Sequence, residues 1–193
     1  MSDAVDALRR GEPVVLPTDT VYGLCCEATD AASTHRLYAL KRRDLSQPSA
    51  LLAASVDDLV AAVPELERGQ IRTGPFTLVL PNPARRFPWI CGTTPGKIGV
   101  RVPDLPAAAA AVVRALGVVV ATSANLHGEP DPRSAEELAP ELRGLVVVDV
   151  GELPGTPSTV IDFTAEEPRV LRQGAGLWEG TGTSPPDTPS PAS

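Results

Sequence analysis

Short apolar runs alternate along the chain with stretches whose apolar residues recur at helical spacing. Apolar runs bounded by turn-forming residues are typical of buried strands. Such runs occur at 13–16, 21–24, 50–54, 76–80, 98–102, 118–121, 146–150, 159–163 and 170–171. Spacing and composition predict helices at 3–10, 30–41, 56–63 and 107–116.

This interleaving of strands and helices indicates an α/β (α+β) layer fold. Several of the predicted strands are joined by connections too short for a parallel crossover, which needs about a dozen residues or more. We therefore expect a twisted mixed sheet with flanking helices. No apolar run approaches the roughly 20 residues that span a bilayer. Residues 1–11 also lack the pattern of a signal peptide, so we expect a cytoplasmic protein without membrane contact.

The composition divides the chain into a folded part and a tail. Hydrophobic residues make up 42% of the 193 residues, which is enough for a sizeable core. The segment 181–193 is rich in Pro, Ser and Thr and has no apolar residue larger than Pro or Ala. Such a segment cannot bury enough apolar surface to fold. We therefore expect one domain over 1–178 and a disordered tail over 179–193.

The charge balance bears on possible partners. The chain has 17 Lys and Arg against 24 Asp and Glu, a formal net charge of −7. Proteins that bind RNA through its phosphates usually carry a basic excess or a basic stripe. The acidic total therefore argues against bulk nucleic-acid binding and leaves room for a local basic cleft with a weak RNA contact.

Cysteine and histidine are few and scattered. Cys25, Cys26 and Cys91 form a poor disulfide framework, and the apolar setting of the adjacent pair predicts small core residues. His35 and His127 are the only histidines, and they show no metal-ligand spacing with the cysteines. We therefore expect no metal held by the protein alone.

The stretch 17–23 places polar side chains around a turn between two predicted strands. The hydroxyls of Thr18, Thr20 and Tyr22 can bind a small polar ligand. An ordinary turn, with Thr18 bonded to nearby backbone, explains the same residues. Both interpretations are open from the residues alone.

Three cations, Lys41, Arg42 and Arg43, stand where the second predicted helix ends. Cations at this position favour the negative end of the helix dipole. They could equally form a polyphosphate clamp, because arginine offers a fork of donors and lysine a point charge.

Two further clusters lie at strand ends, where α/β folds place ligands. Ser123 and Asn125 follow an apolar strand, and they suit either a helix cap or an anion site. Ser158 opens a later strand and Arg172 closes the next. Arg101 lies inside an apolar strand, where a cation needs a partner or a cleft.

Two apparent motifs do not qualify. The segment 92–97 resembles a phosphate-binding loop, but it is one residue short between its glycines and has Ile98 where a hydroxyl residue would hold magnesium. Ser123 and His127 are close in sequence, but no nucleophile elbow surrounds the serine.

In their order along the chain, these motifs resemble the YrdC/TsaC family of threonylcarbamoyl-adenylate synthases. The resemblance covers the chain up to about Gly176 and implies the short, single-domain form. It implies a twisted mixed sheet with a concave, positively charged cleft. The stretches that carry it are 17–24, 41–43, 74–80, 100–103, 123–126, 158–162 and 171–172.

The resemblance also implies roles for single residues. Lys41 and Arg43 would contact the ATP phosphates and be catalytic. Ser123, Asn125 and Arg172 would complete the ATP site. The threonine site would consist of Thr18, Thr20, Tyr22, Arg101 and Ser158. Arg101 would pair with the threonine carboxylate, and Thr18 and Tyr22 would shape the pocket.

The chain departs from the family pattern at three positions. Leu52 lies near the place where longer members carry a histidine beside the threonine. Pro157 stands where they have glutamate, and Asp44 stands where a proline usually follows the cationic motif.

The implied reaction is that of a nucleotidyltransferase. L-threonine, bicarbonate and ATP would give threonylcarbamoyl-AMP and pyrophosphate, with Mg²⁺ bridging the phosphates, for the machinery that transfers the threonylcarbamoyl group to tRNA. One alternative is an RNA-binding module on the same fold, which the charge of −7 disfavours. The other is a paralogous carbamoyl hydrolase or transferase, which the threonine-side residues Thr20, Arg101 and Ser158 disfavour.

Overall fold

The structure is a computed structural model, and it describes residues 2–178. The tail predicted at 179–193 lies outside the described residues. The helices are α1 (Ser2–Arg9), α2 (Ala31–Leu40), α3 (Val56–Ala62) and α4 (Ala107–Leu116). The strands are β1 (Val14–Pro17), β2 (Tyr22–Glu27), β3 (Ala50–Ala53), β4 (Phe76–Pro81), β5 (Lys97–Arg101), β6 (Val118–Ser123), β7 (Val146–Val147), β8 (Thr159–Asp162) and β9 (Arg169–Arg172).

The strands form a single mixed sheet, as predicted. In the described part of the chain nine strands are ordered β7-β1-β2-β6-β3-β5-β4-β8-β9. The β1/β7, β3/β5 and β4/β8 pairs are parallel, and the other neighbours are antiparallel. None of the helices over 2–178 is both long and apolar enough to cross a membrane.

Side chains that cap the backbone explain where two helices begin. The Asp30 carboxylate accepts hydrogen bonds from the backbone N–H groups of Ala32 and Ser33 at the start of α2. The Ser55 hydroxyl accepts one from Asp58 at the start of α3. Each cap satisfies backbone donors that have no partner inside the helix.

Apolar layers cover both faces of the sheet, because successive residues of a strand point to opposite sides. Val15 packs in the larger core cluster with α2 and α3, whereas its neighbour Val14 packs with α1 and α4. Leu51 and Leu52 divide in the same way. Helices α1 and α4 contact β1, β2, β3, β6 and β7. Their face of the sheet is therefore free for a cavity over β5, β4 and β8.

Candidate active site

A cavity of about 520 Å³ lies on the α1/α4 face of the sheet. That volume is typical of small-molecule sites. Strand alternation builds its floor: Arg101, Val79 and Val160 line it, whereas Val100 and Ile161, their strand neighbours, are buried in the core on the other face. Most of the site residues predicted from sequence line the cavity, namely Thr18, Lys41, Arg43, Arg101, Ser123, Asn125, Ser158 and Arg172.

The prediction that Tyr22 shapes the cavity needs correction. The Tyr22 side chain is fully buried in the core on the opposite face of the sheet. Its hydroxyl donates to Asp149 Oδ1 and approaches the Gly151 carbonyl, each at 2.8 Å. Both sequence neighbours of Tyr22, Val21 and Gly23, line the cavity, and Tyr22 lies on the other side because successive residues of a strand alternate.

Lys41 ties the Ser123–Asn125 turn to the end of α2. Its Nζ donates to the Ser123 carbonyl at 2.5 Å, to the Asn125 carbonyl at 2.7 Å and to Asn125 Oδ1 at 2.8 Å. Ser123 Oγ donates to the same Oδ1 at 2.6 Å. A lysine ammonium has three donors, so in this state Lys41 uses all of them on the turn.

The environment of Lys41 weakens its hold on its proton. Burial, and to a smaller extent the positive charge of Arg43, lowers the pKa of Lys41 from 10.5 to about 8. The Asp131 carboxylate, which also lines the cavity, opposes both effects. Lys41 is therefore charged at neutral pH and titrates within an accessible range.

The backbone at Arg42 turns its two neighbours toward the cavity. Arg42 has a φ of 53°, in the left-handed region that costs energy for a residue with a side chain. Its side chain is 72% exposed and pairs with Glu141 at 3.0 Å. Lys41 and Arg43, on either side, both line the cavity. The strained residue thus separates one outward cation from two inward ones, which fits strain kept for function.

Arg43 is held by neutral groups and keeps its Nε free. Its Nη1 donates to Thr122 Oγ1 at 2.8 Å, and its Nη2 donates to the Pro48 carbonyl at 2.5 Å. The guanidinium carbon lies 5.4 Å from the centre of the Tyr38 ring. Its Nε is buried and has no hydrogen-bond partner in the described residues. Burial lowers the pKa of Arg43, so an anion in the cavity would relieve a desolvated charge.

Arg101 forms a nearly buried ion pair with Asp19. Arg101 Nη2 donates to Asp19 Oδ1 at 2.5 Å and to Thr20 Oγ1 at 2.7 Å. The two side chains of the ion pair are only 11% and 12% exposed. Thr20 is itself fully buried and lies 3.0 Å from Thr18 between hydroxyl oxygens. The predicted threonine-site residues of 17–23 other than Tyr22 therefore converge on Arg101.

Arg172 lies with the threonine-side residues. Its Nε and Nη2 both donate to the Ser158 carbonyl, at 3.2 and 2.9 Å. Its charge also lowers the pKa of Arg101, although burial of Arg101 is the larger cause. Ser158 Oγ is 2.8 Å from Thr77 Oγ1. Gly174 is required here, because a Cβ atom would lie 2.2 Å from the Pro157 carbonyl oxygen.

Sequence reasoning missed several residues that line the cavity. Lys97 belongs to the segment 92–97 that was set aside as an imperfect phosphate-binding loop, and it pairs with Asp162 at 3.1 Å. The glycines of that segment carried the available signal: Gly92 has a φ of 58° and allows the Ser46 carbonyl to approach. Further polar residues of the lining that the motifs did not indicate include Gln47, Thr77, Thr94, Glu129 and Asp131.

The electrostatics of the cavity suit a polyanion. Within residues 2–178 no group of three or more His, Cys, Asp or Glu could hold a metal ion. The lining carboxylates are Glu129 and Asp131. The lining cations outnumber them, and they are Lys41, Arg43, Lys97, Arg101 and Arg172. A chain of net charge −7 thus concentrates positive charge in one place.

Cys25 and Cys26 are small core residues, as predicted. Cys25 and Cys26 are fully buried, and burial raises the pKa of each thiol, for Cys26 to about 12. A thiol in such a setting is not ionised at neutral pH, and the thiolate is the nucleophilic form.

The chain is similar to a known family over most of its length. The Sua5/YciO/YrdC family model, described as "Telomere recombination", matches residues 6–174. A protein of Mycobacterium tuberculosis (strain H37Rv) named "Putative threonylcarbamoyl-AMP synthase" is 34% identical over 180 residues, which cover 89% of this chain and 82% of the relative. A "Threonylcarbamoyl-AMP synthase" of Chromohalobacter salexigens is 35% identical over 175 residues, covering 86% and 94%.

Solved structures agree with the sequence comparisons. Pyrococcus abyssi Sua5 complexed with L-threonine superposes with a TM-score of 0.79 at 32% identity and covers 89% of this chain. The present chain spans about half of that protein, 53% of its length. Escherichia coli YciO has a TM-score of 0.75 at 28% identity, covering 90% of this chain and 88% of its own.

Proposed function

Because the chain belongs to the Sua5/YciO/YrdC family, we propose that it is an L-threonylcarbamoyladenylate synthase. The enzyme would use ATP, L-threonine and bicarbonate and would release threonylcarbamoyl-AMP and pyrophosphate. Relatives named threonylcarbamoyl-AMP synthase support an enzyme of this kind. We further propose that residues 1–178 form the synthase domain and that it acts in the cytoplasm.

One observation carries the proposal. A single cavity of about 520 Å³ holds two pairs of cations, and the partners of each pair influence one another electrostatically. Lys41 and Arg43 form one pair without a carboxylate in direct contact, which suits a triphosphate. Arg101 and Arg172 form the other beside Asp19 and several hydroxyls, which suits a small zwitterion with a hydroxyl group. L-threonine has this chemistry.

The chemistry requires no protein nucleophile. The amine of threonine and bicarbonate give a carbamate and water. A carbamate oxygen then forms a bond to the α-phosphorus of ATP, the bond from that phosphorus to the β-phosphate oxygen breaks, and pyrophosphate leaves. The protein has to align the two reactants and stabilise the charge that develops on the phosphates. Arg43 and Lys41 are the residues we assign to the phosphates, with Ser123 and Asn125 beside them.

Magnesium fits this arrangement as an ion carried with ATP. Mg²⁺ usually takes one or two carboxylates together with phosphate and water ligands. Glu129 and Asp131 line the cavity and are the residues that would complete its ligands. The ion would neutralise phosphate charge.

Pyrophosphate release tests the proposal. Wild-type protein is mixed with ATP and Mg²⁺, and threonine and bicarbonate are omitted one at a time. We expect release only when both are present. Release that is indifferent to threonine would indicate a paralogous carbamoyl hydrolase or transferase. No release from folded protein, together with salt-sensitive RNA affinity, would indicate an RNA-binding module instead.

The product defines the next reaction. Threonylcarbamoyl-AMP is a mixed anhydride, and AMP is its leaving group. We therefore propose that it is consumed by acyl transfer to a nucleophile, in the machinery that modifies tRNA.

ATP affinity is expected to fall as the pH rises through about 8, the pKa of Lys41. This pKa lies below the ordinary value, so Lys41 loses its proton in the folded protein while exposed lysines keep theirs. The phosphate site then loses one positive charge, and the Ser123–Asn125 turn loses one hydrogen-bond donor. The attraction between two unit charges about 4 Å apart is worth about 1 kcal/mol in water and about 4 kcal/mol near a protein surface, so the loss of affinity should reach about tenfold.

Calorimetric titration with ATP and Mg²⁺ from about pH 7 to about pH 9.5 covers this range. A Lys41→Met protein is the control, and its weaker affinity should not change in this range. Parallel profiles for the two proteins would show that another group titrates.

A further inference from the structure

Asp19 occupies one edge of the Arg101 guanidinium. An arginine has five N–H donors, two of them on each Nη. In this structure Nη2 donates to both Asp19 Oδ1 and Thr20 Oγ1, so its two hydrogens are taken. The other Asp19 oxygen accepts the backbone N–H of Asp104 at 3.2 Å. Each Asp19 carboxylate oxygen therefore accepts a hydrogen bond, and these bonds define the orientation of the Asp19–Arg101 ion pair.

The remaining donors of Arg101 are left for a ligand. Its Nε is buried and has no partner in the part of the chain that the structure describes. A buried polar group without a partner costs about 1–3 kcal/mol, so such a group is retained where a bound molecule satisfies it. Arg101 lines the cavity, and a carboxylate there would accept from it.

Asp19 also sets the charge that Arg101 presents. Among residues 2–178, Arg43 is held only by a hydroxyl, a carbonyl and an aromatic ring, and none of these compensates its positive charge. Arg101 faces a carboxylate at 2.5 Å, so the pair together is close to neutral. An arginine without Asp19 would attract any phosphate in the cavity. An arginine that is paired with Asp19 instead favours a zwitterionic ligand, whose own charges balance.

We propose that Asp19 is a positioning residue that holds Arg101 to receive the carboxylate of the amino-acid substrate and keeps this part of the cavity from binding phosphate. The inference rests on the proposed function and adds a residue to it. Asp19 acts through Arg101 and has no role at the reacting atoms.

The test is an Asp19→Asn substitution, which keeps the shape of the side chain and removes its charge. The Michaelis constant for threonine should rise at least about tenfold, while kcat at saturating threonine and the Michaelis constant for ATP change by less than about threefold. Inorganic phosphate should become a stronger competitor of threonine. An Asp19→Glu protein restores the charge with a longer reach, and its Michaelis constant for threonine should be intermediate.

Asp149→Asn is the matched control. Its carboxylate also accepts a 2.8 Å hydrogen bond, but from Tyr22, which does not line the cavity, whereas Asp19 accepts from Arg101, which does. Its threonine dependence should equal that of the wild type. If the Asp19→Asn protein fails to fold, the Asp19→Glu protein becomes the test. Its Michaelis constant for threonine should rise about threefold, and its Michaelis constant for ATP should not rise.

The outcomes separate this inference from the proposed function. Wild-type protein that releases no pyrophosphate overturns the proposed function. Active wild type with an unchanged threonine dependence in both Asp19 variants overturns the role of Asp19 alone. A parallel rise for threonine and ATP with lost turnover would also overturn it, because that pattern indicates general structural damage.

Discussion

An Arg43→Met protein is expected to release pyrophosphate about 100-fold more slowly than the wild type, the usual loss when one donor to a developing charge is removed. Arg43 carries an uncompensated charge and a buried, unpartnered Nε in the cavity. The charge that grows on the phosphates during displacement would be stabilised there. Methionine keeps much of the side-chain volume but removes the cation and its hydrogen bonds to Thr122 and Pro48, so a loss of stability of about 1 kcal/mol should accompany the much larger loss of turnover.

Arg42→Met is the control for this experiment. It makes the same change one residue away, at a side chain that is 72% exposed and pairs with Glu141. Exposed ion pairs contribute at most about 1 kcal/mol, so turnover and stability should both stay near wild-type values. Equal turnover in the two variants would remove Arg43 from the phosphate site.

Substitution of Lys41 tests the same phosphate site less directly, because Lys41 also bonds the Ser123–Asn125 turn. Lys41→Ala should also lower turnover at least tenfold, about 1.4 kcal/mol. It should destabilise the protein as well, because three oxygens of the Ser123–Asn125 turn would lose their donor. An exposed lysine at a helix end would carry no such cost.

An Arg101→Met protein should lose about 3 kcal/mol of unfolding free energy together with threonine-dependent pyrophosphate release. Removing one partner of a buried ion pair typically costs that much, because the other charge stays buried without a partner. The Asp19 side chain is only 12% exposed. Urea unfolding measures the first effect and a threonine titration of pyrophosphate release the second.

The double variant Arg101→Met/Asp19→Asn separates stability from function. Removing the second charge should recover most of the lost unfolding free energy, since replacing both partners is often nearly neutral. Threonine dependence should stay lost, because Arg101, the cation that we assign to the carboxylate, is absent. A double variant that recovers activity would show that Arg101 has only a structural role.

The secondary structure was largely predictable from the apolar pattern. The helix predicted at 107–116 is α4 with the same bounds, and the helix predicted at 30–41 is α2 within one residue at each end. The strand predicted at 146–150 contains only two residues, Val146 and Val147. Strand β7 lies at the edge of the sheet, where β1 is its one neighbour among the described strands. An apolar run does not show how far a neighbouring strand extends beside it.

The residue types of the site and their order along the chain were readable from local motifs. Which side chains meet depends on the way the chain folds. Lys41 bonds a turn more than 80 positions away, and Arg101 meets Asp19 at a similar separation. Tyr22 lies on the core side because β2 pairs in one register and alternates its faces. Face, register and long-range partners depend on how strands pair, and no single motif carries that information.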